Sequence, residues 1–186
     1  MSKKIMFNDK YGLTQAVLDG RKTMTRRIVP QSVIEKYSLM EDFTIIDDAR
    51  YNVGDIVAIA QSYESIYNEK GLETMDMLVL GLKNHKGWQN KLFVAAGEMT
   101  HHIRITDVKV ERLQDISDED CLREGINASN SHEIGYGIPW VYEFAKSKMV
   151  YLTPCEAFAA LIDSISGKGT FNSNPYVFAY EFELVD

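Results

Sequence analysis

Leu13-Thr14-Gln15-Ala16-Val17-Leu18-Asp19-Gly20-Arg21-Lys22-Thr23-Met24-Thr25-Arg26-Arg27-Ile28-Val29-Pro30 changes its hydrophobic period halfway along, and that change sets the fold class. Leu13, Ala16 and Val17 fall at i, i+3 and i+4, the spacing of one helix face, and Gly20 stands where a left-handed residue ends a helix. A short helix from Leu13 to Asp19 is expected. From Thr23 to Val29 the β-branched and alternating side chains read as a strand that stops at Pro30. The cations Arg21, Lys22, Arg26 and Arg27 straddle the turn between the two.

Further along, the stretch from Pro30 to Asn52 is irregular apart from a strand expected at Phe43–Ile46. Asn52-Val53-Gly54-Asp55 is turn chemistry, and Ile56–Ala60 after it is an apolar run suited to a buried strand. Tyr63 to Gly97, with Met75, Met77, Leu78, Leu80 and Leu82, reads as a hairpin or an insertion. Between His101 and Val110 the alternation of Ile103 and Ile105 gives way to Val108 and Val110, a phase change that fits a bulge near Thr106-Asp107. Ser117 sits as an N-cap with Asp120 in the capping-box position, and a helix through Glu124 is expected to stop at Gly125. Thr153-Pro154-Cys155-Glu156 is a stronger helix start, with Phe158, Leu161, Ile162 and Ile165 as its buried stripe up to Gly167. Tyr176, Phe178, Tyr180, Phe182 and Leu184 alternate along a closing strand with one aromatic face. Separated strands with few interleaved helices favour an α+β fold built on a barrel over a parallel sheet.

A net charge of −7 over 186 residues argues against long-range attraction to a polyanion, so any nucleic-acid contact must be local. Hydrophobic residues at 45% and charged residues at 25% describe an ordinary globular chain. No apolar run has the length of a membrane span, and Lys3 and Lys4 are not followed by the apolar core of a secretory signal. Cys121 and Cys155 are the sole cysteines, which suggests neither a disulfide framework nor a zinc knuckle and makes a reducing cytoplasm the expected location. His101 and His102 are adjacent and face opposite ways on a strand, while His85 and His132 lack partners at ligand spacing; no metal and no cofactor are expected. Trp140, Tyr142 and Phe144 alternate, a set suited to stacking on a base or to core packing.

Gly20-Arg21-Lys22-Thr23-Met24-Thr25-Arg26-Arg27 resembles the signature of the ASCH domain, a glycine and lysine after the first helix with Thr and Arg on the next strand. Val53-Gly54-Asp55 before an apolar strand, and Leu113 through Glu124-Gly125 after a bent one, resemble that family in the same order. The tail from Ser164 to Gly169 and from Asn174 to Phe178 is similar to that of phage and prophage members. The resemblance covers roughly half the chain. It implies a PUA-like twisted β-barrel with flanking helices, a single ASCH domain over residues 1–186 with insertions near 63–97 and 127–152, and a cleft for a modified nucleoside, nucleotide or RNA element.

Within the family the pattern is similar to bacterial N4-acetylcytidine amidohydrolases. Residue by residue the resemblance places a catalytic lysine at Lys22, a threonine at Thr25, a glutamate at Glu124 and an arginine at Arg27. Amide hydrolysis needs a nucleophile, a base, an acid for the leaving amine and donors for the oxyanion, and these residue types can supply the first three. Lysine titrates near ~10.4, so serving as a base at neutral pH needs a depression of about three pH units, worth about 4 kcal/mol. Burial and the neighbouring arginines push that way, whereas an ionised Glu124 pushes back. Residues three apart on a regular strand face opposite sides, so Lys22 and Thr25 converge only if the chain turns between them. Arg21, Arg26, Arg27 and, from position alone, Tyr63 and Glu64 are the expected substrate- or RNA-binding residues. Two alternatives stand beside the amidohydrolase: a non-catalytic RNA-binding module using Lys22, Arg26 and Arg27 on phosphate, and a phage-derived accessory protein that binds another protein.

Overall fold

The computed structural model describes residues 3–38, 45–71, 81–130 and 139–186. Its strands are β1 (Lys4–Ile5), β2 (Met24–Ile28), β3 (Ile56–Ile59), β4 (His102–Arg112), β5 (Asn127–Asn130), β6 (Trp140–Glu143) and β7 (Tyr176–Leu184). Its helices are α1 (Leu13–Leu18), α2 (Gln31–Tyr37), α3 (Tyr63–Glu69), α4 (Asp118–Arg123), α5 (Pro154–Ser166) and α6 (Thr170–Ser173). One sheet has the order β1-β3-β4-β7-β2 and a second pairs β5 with β6. β1 runs parallel to β3, whereas β3 with β4 and β2 with β7 are antiparallel.

This order corrects the expected PUA-like barrel. A barrel requires every strand to be paired on both sides, and here β1 and β2 stand at opposite ends of an open order without pairing to each other. A two-residue β1 offers too short a ladder to close a cylinder. The fold is α+β, with an open mixed sheet of five strands and a separate two-stranded one.

The chain divides into two compact units, one made of Met1–Phe7, Ile56–Arg104 and Leu184–Asp186 and the other of Asn8–Asp55 and Ile105–Glu183. The first has a small apolar core of Ala58, Ala60, Ile66, Val94 and Met99, with Met6, Tyr63 and Ala96 packed against it. Its helix α3 starts where the Ser62 hydroxyl accepts the Ser65 N–H, a start that the sequence reading missed. The Lys4 amine donates to the carbonyls of Lys91, Leu92 and Val94 and so ties the polar stretch before β4 to β1. Met75, Met77, Leu78 and Leu80 of the expected hairpin lie outside the described residues.

In the second unit α1 buries Leu13, Ala16 and Val17, the face its spacing predicts. Gly20 follows at φ +72°, and β2 begins at Met24. Helix α2 falls in the stretch read as irregular; it buries no residue, so no apolar stripe announced it. Ile45 and Ile46 belong to a 3-10 turn in place of the expected strand, whose other half lies outside the described residues. β4, whose residues up to Arg104 belong to the first unit, alternates buried Ile103 and Ile105 with exposed Arg104 and Thr106, and the alternation ends at exposed Asp107, where the phase change predicts it. Helix α5 carries the full capping box of Thr153 and Glu156, and it buries Ala157, Phe158 and Leu161, while Ile165 reaches solvent. β7 buries Val177 and Ala179 as completely as Phe178 and Tyr180, so both its faces are core. A strand flanked by β4 and β2 in the interior of a sheet explains that departure from the one-sided expectation.

Among the described residues no helix is long and apolar enough to cross a membrane.

Candidate active site

Residues 20 to 23 form the link that brings the sequence motif into the second unit's interior. The carbonyl of Ala16, near the end of α1, accepts N–H bonds from both Arg21 and Lys22, and the Gly20 N–H bonds to Val17. The Thr23 N–H then bonds to the carbonyl of Arg123 at the end of α4, while its own carbonyl accepts from Phe182 of β7. Lys22 thus precedes the strand in a turn, and the two-face alternation of a regular strand does not apply between it and Thr25.

Helix α4 supplies the other half. Ser117 accepts the Asp120 N–H at 3.1 Å, as an N-cap does. The Asp120 carboxylate does not reach back to complete a capping box with Arg26 within range; it accepts the Arg26 guanidinium at 2.8 Å. Glu124 is the C-cap of α4, and Gly125 follows at φ +104°. A side chain at Gly125 would press on Leu13 Cδ2 at 3.2 Å and touch the Lys22 stem at 3.6 Å.

The lysine and glutamate expected at the site meet there. Lys22 Nζ donates to Glu124 Oε2 at 2.6 Å and to the Glu124 backbone carbonyl at 2.7 Å. Lys22 is 2% exposed, Glu124 4% and Thr25 4%, so all three lie beneath the surface. Arg26 contacts the other Glu124 oxygen at 3.3 Å and bonds Glu111 of β4 at 2.7 Å. Lys109 and Arg123 continue the network, Lys109 through Glu111 and Arg123 through Asp120 and Glu181. Removing one member of such a buried set leaves its partner charged in a medium that does not solvate it.

Burial and the paired carboxylate act on Lys22 in opposite directions. Burial is the largest influence on Lys22 and holds its ammonium below the ordinary lysine range, opposed by Glu124 and assisted by the charges of Arg27 and Arg26. Burial also works against the Arg26 charge, but Glu124, Asp120 and Glu111 together outweigh it and raise its affinity for the proton. Arg27 is half-buried and is pushed down by burial, with Glu124, Tyr51 and Tyr180 pulling the other way.

Thr25 sits on β2 directly across from Tyr180 of β7. Among the described residues its hydroxyl has no hydrogen-bond partner, neither Lys22 nor Glu124 included. Arg27 shares its strand face with Thr25, as residues two apart do. Arg21 is exposed and bonds Asn127 and Asp19. Tyr63 and Glu64 are residues of α3 in the other unit, where Tyr63 packs edge-on to His85 at 5.3 Å. His101 bonds Glu69 and His102 bonds Asp186, so the two adjacent histidines have separate partners, while His132 lies outside the described residues. Among the described residues no cluster of His, Cys, Asp and Glu is arranged to hold a metal ion.

The sequence reading missed Glu111 and Asp120 as partners of Arg26, and Tyr51 and Tyr180 beside Arg27. Asp120 did carry a signal, since it is an aspartate where a capping box takes glutamate. Tyr180 carried a weaker one, a hydroxyl in the middle of an otherwise apolar strand.

No family model and no curated protein sequence matches this chain. Among solved structures it is similar to protein EF3133 from Enterococcus faecalis V583, described under the family-model DUF984, with 13% identity, a TM-score of 0.43, and coverage of 94% of this chain and 67% of the other.

Proposed function

We propose that the protein hydrolyses a small amide carried by a modified nucleoside, of the N4-acetylcytidine type, with Thr25 as nucleophile, Lys22 as base and Glu124 as the carboxylate that orients the lysine. The observation that carries this reading is the buried Lys22–Glu124 pair, bonded at 2.6 Å, three residues along the chain from a buried threonine whose hydroxyl has no hydrogen-bond partner among the described residues. An exposed lysine would be protonated at neutral pH and useless as a base; burial favours the neutral amine that the reaction needs. The resemblance of residues 20–27 and 113–125 to the ASCH family supports the same three positions.

The steps balance as follows. The Thr25 hydroxyl oxygen bonds the amide carbon while its proton passes to the neutral Lys22 amine, and the carbonyl π pair moves onto oxygen. Collapse of that intermediate breaks the C–N bond, and the Lys22 ammonium returns the proton to the leaving nitrogen. Water then attacks the threonyl ester, Lys22 takes its proton, and the proton returns to Thr25 as the acid leaves. Glu124 accepts a hydrogen from the lysine nitrogen throughout, fixing where its lone pair points.

Phosphate binding by the same basic run has less support. Arg26 is held by Glu111, Asp120 and Glu124, and Lys22 is buried against Glu124, so neither presents its charge to a phosphate at the surface. Arg21 is the exposed member, and its charge is offset by Asp19.

Incubation with N4-acetylcytidine, followed by chromatography, is expected to release cytidine and acetate. Lys22→Ala and Thr25→Ala are each expected to abolish that release. No turnover by the native protein, or turnover that survives Thr25→Ala, overturns the assignment.

A further inference from the structure

We infer that Tyr180 is a further catalytic residue of this site, its phenolic O–H donating to the carbonyl oxygen of the amide that Thr25 attacks. The inference rests on the amidohydrolase reading above and supplies what that reading lacks, a donor for the developing oxyanion.

Three observations point to it. In the β2–β7 ladder Thr25 is paired directly with Tyr180, and residues opposite each other on antiparallel strands project from the same face with their Cβ atoms about 5 Å apart. The phenol oxygen accepts the Arg50 backbone N–H at 3.2 Å and lies against the Tyr51 N–H as well, so its lone pairs are occupied and the proton is what it has left to give. That proton has no acceptor among the described residues, although Tyr180 is 1% exposed. Two hydroxyls with unfilled hydrogen-bonding capacity, Thr25 and Tyr180, therefore share one buried strand face. Buried polar groups are almost always satisfied, and an acyl group placed between these two would satisfy both.

The surroundings suit the role. Tyr51 packs edge-on against the Tyr180 ring, with centroids 5.3 Å apart, and fixes where the hydroxyl points. Burial raises the phenol above the ordinary tyrosine range, against the opposing pull of the Arg50 and Tyr51 N–H groups, and so keeps the proton in place. In the addition step the new Oγ–C bond pushes the carbonyl pair onto oxygen, and Tyr180 stabilises that oxygen by hydrogen bonding without losing its proton. The threonine proton still passes to Lys22, and the C–N bond still breaks with return of the proton from Lys22.

The test uses the full chain with N4-acetylcytidine as the probe. Tyr180→Phe is expected to lower kcat by about 10²-fold, the usual cost of one oxyanion donor, with KM unchanged. Because that variant also takes the acceptor from two backbone N–H groups, 3-fluorotyrosine placed at position 180 is the second variant and decides the matter if the first does not fold. It keeps the shape and those bonds but loses its proton more easily, so the alkaline limb of the kcat profile is expected to move to lower pH. Native turnover with an unchanged kcat in Tyr180→Phe, or an unmoved alkaline limb in the fluorinated protein, overturns the role of Tyr180 and leaves the hydrolase reading standing. No native turnover overturns both.

Discussion

Each of the two compact units holds a polar cluster, and the clusters differ in what they leave unsatisfied. In the first unit Gln61, 3% exposed, donates to both Glu69 carboxylate oxygens at 2.9 Å and accepts from the Thr100 N–H at 2.9 Å. Thr100 and His101 complete that set around Glu69, and every group named points at another. In the second unit Lys22, Arg26 and Glu124 are matched just as closely, yet among the described residues the Thr25 hydroxyl and the Tyr180 proton are not. A closed set of partly exposed groups around one carboxylate is what holds a helix against the segment before a strand. A buried set of charges carries a desolvation cost that only close pairing offsets.

That contrast is breakable by experiment. The largest effect is expected from Glu124→Ala, which strands Lys22 and weakens the hold on Arg26; urea unfolding should show a loss of about 3–5 kcal/mol, and Lys22→Met combined with Glu124→Leu should recover most of it while remaining inactive. If the double variant is no more stable than Glu124→Ala, the pair is not the coupled unit described. Gln61→Leu removes a buried neutral group and leaves the Thr100 N–H without its acceptor, so about 1–3 kcal/mol is expected in the same measurement, with hydrolysis by the folded protein unaffected. A loss equal to that of Glu124→Ala would erase the distinction between the two clusters.

The pH dependence gives a smaller, directional effect. Burial lowers the Lys22 value in the folded state, so between that value and the ordinary lysine value near 10.5 the unfolded chain binds more protons. Stability contributed through Lys22 is complete above the unfolded value and is lost as pH falls through the folded one. Unfolding free energies measured across the alkaline range should therefore rise with pH more steeply for the native protein than for Lys22→Met; equal slopes would mean that burial does not lower the proton affinity of the amine. The least effect is expected for Arg21→Ala, within about 0.5 kcal/mol, because its ion pair with Asp19 is open to solvent.

Local signals in the sequence were legible where a side chain acts on its own backbone. Gly20, Ser117 and the Thr153–Glu156 box mark α1, α4 and α5 because caps and left-handed stops are decided within a few residues. Lys22, Thr25 and Glu124 were named from a family pattern, and no periodicity or spacing in the chain joins positions 22 and 124. The barrel was misjudged because strand patterns say which residues face inward but not which strand lies beside which, and closure is decided by that. Helix α2 has no buried residue to mark it, and the aromatic alternation of β7 hid the fact that its small residues are equally buried. Tyr180 reads as core from its neighbours; only its pairing with Thr25 and its bonds near residue 50 set it apart.

The glycine at position 125 gives a handle on this cluster that involves no charge at all. Its backbone stands at φ +104°, and a first side-chain carbon there would lie 3.6 Å from the lysine's methylene chain. A methyl group there would meet the lysine stem at ordinary contact distance but crowd Leu13 at 3.2 Å and strain the backbone that follows Glu124, while every acid and base keeps its identity. Position 125 is therefore where a change that alters no charge can disturb the backbone turn that carries Glu124 to the lysine.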